Sequence, residues 1–164
     1  TSPAWQMWTD GVTGRRAQRK PGAAGYSGKP LDAKLGLKAG WAALLIGVPE
    51  ALAAAVSRAD FAWSAAIGVG EALPATKPKL DHVHLFVESR AGLARLLGRL
   101  RARIKPAGQI WVSWPKLASG VATDLTEDVV REAAIAAGLV DVRVCAVDAV
   151  WPGLKLVIPL ARRA

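Results

Sequence analysis

The sequence predicts a single three-layer α/β domain: a mainly parallel sheet with helices on both faces and an antiparallel hairpin at its C-terminal edge. Three observations carry this. Continuous apolar runs of strand length alternate with stretches of helical period, the pattern of parallel strands joined by right-handed crossovers. The last two strand-like runs are separated by a short turn with no helix, so they pair as a hairpin. The chain has 164 residues, 52% hydrophobic and 21% charged, enough to bury one core and too apolar for disorder throughout.

Taken in chain order, Pro30 to Leu37 is a short helix with Leu31, Leu35 and Leu37 facing inward. Lys38-Ala39-Gly40 turns into Trp41 to Val48, an unbroken apolar run that reads as a buried parallel strand. Pro49 suits the first turn of a helix and Glu50 its positive end, so Glu50 to Val56 is a short alanine-rich helix. Phe61 to Ile67 is a second strand, and Gly68, Gly70, Pro74 and Pro78 make the following stretch irregular. Leu80 to Val87 is the next strand. Ser89 caps a helix from Arg90 to Lys105 that carries Leu93, Leu96, Leu97, Leu100 and Ile104 on one face and Arg95 and Arg99 on the other. Lys105-Pro-Ala-Gly108 stops that helix before the strand Gln109 to Trp114. Thr126 caps a helix with Glu127 and Asp128 in its first turn and an apolar side of Val129, Val130, Ala133, Ala134 and Ala137. Gly138 ends it. Val140 to Val147 and Leu154 to Leu160 flank the turn Asp148 to Gly153 and form the hairpin.

The net charge of +9 raises the question of an anionic partner. Residues 1–25 hold Arg15, Arg16, Arg19 and Lys20 against Asp10, four against one, and show no helical or alternating period. They read as a basic, flexible arm ahead of the domain at 26–164, either contacting nucleic acid phosphates or simply solvated. Trp5 and Trp8 in this arm suit docking on the domain or on a partner. The rest of the charge is scattered, with no RNP aromatic pattern, GXXG loop or zinc finger. The seven tryptophans make a buried homodimer contact worth testing. One cysteine, Cys145, excludes an intrachain disulfide and fits a reducing compartment. The longest apolar run, Ala39 to Val56, is broken by Pro49 and Glu50, and the N-terminus lacks a signal pattern, so the expected localisation is cytoplasmic with no membrane partner.

Three stretches, in order, resemble class I S-adenosylmethionine-dependent methyltransferases. Leu37-Lys-Ala-Gly40 before Trp41 to Val48 resembles the lead-in to their cofactor-binding first strand. Leu80-Asp81 to Val87, its helix and Ile104-Lys-Pro-Ala-Gly108 resemble their fourth strand, helix and turn. The final helix, strand and hairpin resemble the end of that fold. The strings GYSGKPLDAKLGLKAG, HLFVESRAGL, WVSWPKLASGVATDLTEDVVRE and WPGLKLV also resemble a small, uncharacterised bacterial family, a domain of unknown function, over about residues 25–160. The resemblance implies a Rossmann-like, methyltransferase-like fold. It also implies a cofactor held by an acidic residue and a glycine-rich turn after the first strand, with a ribose-binding carboxylate at the end of the second.

This chain departs from that pattern. Its turn, Ile46-Gly47-Val48-Pro49-Glu50-Ala51, has one glycine and no acid before it, and Pro49 removes an N–H donor. Only Glu71 lies near the end of the second strand. The 31 residues 49–79 leave little space for the usual two further helix–strand units, so the sheet is expected to be reduced. The expectation is a degenerate, non-catalytic methyltransferase-like domain that binds a small ligand or a protein. Two alternatives stand beside it: an S-adenosylmethionine-dependent methyltransferase with an atypical pocket built from Gly47, Glu50 and the Trp114–Asp124 loop, and a nucleic-acid-associated protein using the basic arm.

The candidate site follows from strand ends, where open α/β sheets bind ligands. Trp114-Pro115-Lys116 runs into Ser119 and Thr123-Asp124, offering an aromatic wall, a cation, two hydroxyls and a carboxylate to a small anionic or polar ligand. Equally, Trp114 is core, Lys116 is solvated and Asp124 caps the helix in place of Thr126, since Asp124 and Glu127 have capping-box spacing. Tyr26 and Lys29 border the pocket or form a turn packed on the sheet. His82 and His84 share one strand face beside Asp81, but no third ligand is visible, so no metal is expected. Cys145, on the same face as Arg143, is either an activated thiol or an apolar filler. An exposed Trp151 at the hairpin turn would be a contact surface.

Overall fold

The computed structural model describes residues 30–75 and 79–163. Arg15, Arg16, Arg19, Lys20, Tyr26, Lys29, Trp5 and Trp8 lie outside the described residues, as does the expected boundary between arm and domain. The helices are α1 (Leu31–Leu35), α2 (Ala53–Val56), α3 (Arg90–Arg101) and α4 (Glu127–Ala136). The strands are β1 (Ala42–Ile46), β2 (Trp63–Ile67), β3 (Leu80–Phe86), β4 (Ile104–Ser113), β5 (Val140–Ala146) and β6 (Pro152–Val157).

The six strands form one sheet in the order β2-β1-β3-β4-β6-β5. The first four are parallel, while β6 runs antiparallel to both β4 and β5. This is the expected mixed α/β sheet with a C-terminal hairpin. It is also reduced, since β2 is the one strand between β1 and β3 among the described residues. α3 and α4 cover one face, where Leu93, Leu96, Leu97 and Leu100 pack on Leu44, Ile46, Val83 and Leu85. α1 and α2 cover the other through Leu35 and Val56, which meet Phe86, Trp111 and Cys145. Among the described residues, no helix is long and apolar enough to cross a membrane.

Local sequence explains most of the elements. Ser89 Oγ accepts the Gly92 N–H at 3.0 Å at the start of α3, and Thr126 Oγ1 accepts the Val129 N–H at 3.2 Å at the start of α4. Two stretches differ from their reading. Glu50–Leu52 is a 3₁₀ turn that only then passes into the four-residue α2, and Pro49 stands before it with extended ψ of 140°. The Lys105 to Gly108 segment is not a helix stop. α3 ends at Arg101, and Ile104 already pairs with Leu80 in β4.

The next pair is His82 with Gln109, so residues 105–108 bulge opposite Asp81. Asp81 holds the bulge in place, with Oδ1 3.0 Å from Lys105 Nζ and Oδ2 accepting the Ala42 N–H at 2.9 Å. Pro106 is tolerated in β4 because a bulged residue needs no ladder donor. Gly108 suits this crowded position, since a Cβ would sit 3.0 Å from the Leu80 carbonyl oxygen.

Candidate functional site

Parallel strands place their carboxyl ends together, and here those ends border an open cleft of about 570 Å³. Gly47 and Pro49 come from the end of β1, Val69 from that of β2, Phe86 to Ser89 from that of β3, and Trp151 from the hairpin turn. The position is the one expected for a ligand in such a sheet.

Gly47 has φ of +70°, a conformation open to glycine. A Cβ built on it would meet the Phe86 carbonyl oxygen at 2.5 Å and Val69 Cγ2 at 2.8 Å. The close approach that this glycine permits is therefore made to the protein's own strand end. Its N–H is also used, donating to Ile67 O at 2.8 Å. Beyond β2, Glu71 Oε1 accepts the Gly68 N–H at 2.7 Å, so the carboxylate in the ribose-binding position is turned onto its own loop.

The loop after β4 serves α3. Asp124 Oδ1 accepts the Arg90 N–H at 2.8 Å, and Thr123 Oγ1 donates to Glu88 O at 2.6 Å while accepting the Leu125 N–H at 3.1 Å. Asp124 thus caps α3, not its own helix. Glu127 makes no capping box and pairs instead with Arg131, which also holds Asp128 and Asp141. Ser119 Oγ donates to Lys116 O at 2.7 Å, and the Lys116 N–H donates to Val150 O at 2.9 Å. Trp114 is 4% exposed and belongs to the core beside Leu125 and Val130, so the expected aromatic wall is absent. Glu50 is exposed on its 3₁₀ turn.

Of the candidates on the described residues, Gly47 lines the cleft, while Glu50, Trp114, Lys116, Ser119, Thr123 and Asp124 do not. Glu88 and Ser89 line the cleft without having been candidates, and Trp151, singled out only as a contact surface, lines it as well. The strand-end rule points to Glu88 and Ser89, which follow the apolar run ending at Val87. Trp151 is half-buried, edge-to-face on Phe86 with ring centroids 5.3 Å apart, so the part of it left open faces the cleft and it is not the exposed tryptophan of a broad contact surface.

The opposite sheet face holds the two histidines, both fully buried. Gln109 Nε2 donates to His82 Nδ1 and to Leu35 O, each at 2.9 Å, and the His84 Nε2 lies 2.9 Å from Ser113 Oγ. His84 also stacks on Phe86 at 4.3 Å. Burial, aided by the charge of Lys155, pushes the His82 pKa down to about 3, and burial with the neighbouring His82 holds His84 well below 6.5. Neither ring meets a third metal-ligating group among the described residues. Because the folded state refuses protons that the unfolded imidazoles accept near pH 6.5, stability is full above that pH and falls between 6.5 and about 3. Urea unfolding from pH 7.5 to 5 should show the decline, approaching about 1.4 kcal/mol per pH unit for each ring. A flat profile would show that the rings are not buried neutral.

Cys145 lies on this face at 1% exposure, and burial pushes its thiol up to about 12 against the smaller opposing effect of Lys34 and Arg143. It is a filler, not an activated thiol. A thiol reagent at pH 8 should leave the native protein unmodified and label it fully in denaturant, whereas rapid native labelling would contradict this burial.

No protein-family model matches the sequence, and no curated protein matches it either. Solved structures do. An S-adenosylmethionine-dependent methyltransferase from Aquifex aeolicus aligns with a TM-score of 0.56 at 17% identity, covering 80% of this chain and 94% of that one. The mitomycin 7-O-methyltransferase MmcR aligns at 0.54 and 15%, covering 73% of this chain and 49% of that chain. An O-methyltransferase from neocarzinostatin biosynthesis, in complex with S-adenosylmethionine, aligns at 0.50 and 12%, covering 72% and 49%. This chain spans about half the length of the last two. At these identities the likeness is one of fold: the domain has the class I methyltransferase architecture.

Proposed function

We propose that this chain, built on the methyltransferase architecture, is a non-catalytic domain that binds a small ligand in the cleft beside Gly47. The observation that carries the proposal is what fills the space at that glycine. In Rossmann-like sites a glycine after the first strand lets the ligand approach the backbone. Here Phe86 O and Val69 occupy that space, and the Gly47 N–H is already bonded to Ile67 O.

The remaining residues fit the methyl donor no better. Pro49 has no N–H to offer. The helix that follows is a three-residue 3₁₀ turn and a four-residue α2, too short for a strong dipole. Glu71 is engaged by Gly68. The competing reading, methyl transfer through an atypical pocket, needs Glu50 and the Trp114–Asp124 loop in the cleft, and neither lines it.

Isothermal calorimetry with S-adenosylmethionine, and separately with its demethylated product, tests the proposal. No saturable heat is expected at micromolar concentrations of either. Micromolar binding of either compound overturns it.

A further inference from the structure

Among the described residues lining the cleft, Glu88 is the one charged group. It is exposed at the cleft's mouth, and among the described residues the carboxylate has no hydrogen-bond or ion-pair partner. Only its backbone carbonyl is engaged, by Thr123.

Three of the N–H donors that would favour an anion are taken. At the start of α3, Arg90 N–H is bonded to Asp124 and Gly92 N–H to Ser89, and at the end of β1 the Gly47 N–H is bonded to Ile67 O. Asp124 also brings a second carboxylate to the residues beside Glu88. The walls, Val69, Phe86 and Val87, are apolar, and Trp151 adds an aromatic ring of the kind that attracts cations. The chain's +9 charge opposes this weakly. At physiological salt, charges more than about 8 Å away are largely screened; the nearer Arg95 guanidinium is held by Val69 O at 3.4 Å and does not line the cleft, whereas Glu88 does.

We propose that this cleft takes a small organic cation, an ammonium group carried on an apolar or aromatic body, with Glu88 as its counter-charge and Trp151 against the body. This rests on the reading that the cleft is not the methyl donor's site. The volume of about 570 Å³ suits such a molecule.

The test is an NMR titration of the full chain, read at the Glu88 and Ser89 amides, with a cation, its neutral isostere and an anion, each on a benzyl group. Benzyltrimethylammonium should shift them saturably. Its uncharged isostere neopentylbenzene should bind about five- to tenfold more weakly, the value expected for one exposed ion pair with a cation–π contact. Phenylacetate should not bind. Glu88→Gln should weaken the cation by the ion-pair share of that factor, about two- to fivefold, and leave the neutral compound unchanged. The exposed, unpartnered side chain makes that substitution safe for folding, which an unchanged Tm verifies.

Equal affinity for cation and isostere, an unaffected Glu88→Gln variant, or no saturable shift with the cation overturns the inference. Saturable movement of Gly47 with the demethylated methyl donor, a neutral thioether, overturns the proposed function instead, so the two failures are told apart.

Discussion

Replacing Gly47 by alanine is expected to cost about 2–5 kcal/mol of unfolding free energy, a large share of the roughly 5–15 kcal/mol that a domain of this kind has. Two effects add. The φ of +70° costs a residue with a Cβ about 1–2 kcal/mol. The new Cβ would also press on the Phe86 carbonyl oxygen, part of a strand backbone that cannot yield, and overpacking of this kind adds about 1–3 kcal/mol. Gly40→Ala is the internal control. Gly40 has φ of +84°, but a Cβ there would meet nothing within 4 Å, so only the first effect applies. Urea unfolding should rank Gly47→Ala clearly below Gly40→Ala. Equal losses would mean that the space beside Gly47 is open after all.

Trp111→Ala should cost a similar amount, about 3–5 kcal/mol, because the whole indole is buried on the α1 face of the sheet. The indole N–H donates to Leu35 O at 3.0 Å, the carbonyl that also receives Gln109 Nε2. Trp111→Phe removes one of these two donors and leaves the other, so the carbonyl stays satisfied and the loss falls to about 1–2 kcal/mol. If both substitutions cost the same in urea unfolding, the energy resides in the hydrogen bond and not in the packing.

The order of strands and helices was legible because it is written locally. The apolar runs at Trp41, Leu80 and Gln109 have strand length, and Ser89 and Thr126 cap the helices that follow them, as their side chains do here. The features that the sequence concealed depend on partners far along the chain. Lys105-Pro-Ala-Gly108 has the composition of a helix stop, yet Asp81 makes it a bulge by bonding both Lys105 and the start of β1. Asp124 has the spacing to cap its own helix, but its carboxylate reaches Arg90, 34 residues earlier.

The candidate site suffered most from this. Thr123 and Asp124 are polar residues at a strand's end, which is where ligand-binding residues belong, and their bonds to Glu88 and Arg90 are visible only in three dimensions. Gly47 was rightly singled out by position. What the sequence could not supply was the identity of its neighbours, a carbonyl from β3 and a methyl group from beyond β2.

The most direct test of the central claim is the amide NMR spectrum of the chain during titration with S-adenosylmethionine. The Gly47 N–H, held by Ile67 O, and the Gly68 N–H, held by Glu71, are the reporters. Both should keep their positions to millimolar cofactor, because the space and the carboxylate that a methyl donor requires are taken up by the protein itself. Saturable movement of the two together, at micromolar cofactor, would mean that Phe86, Val69 and Glu71 give way to it, and that the domain binds the methyl donor.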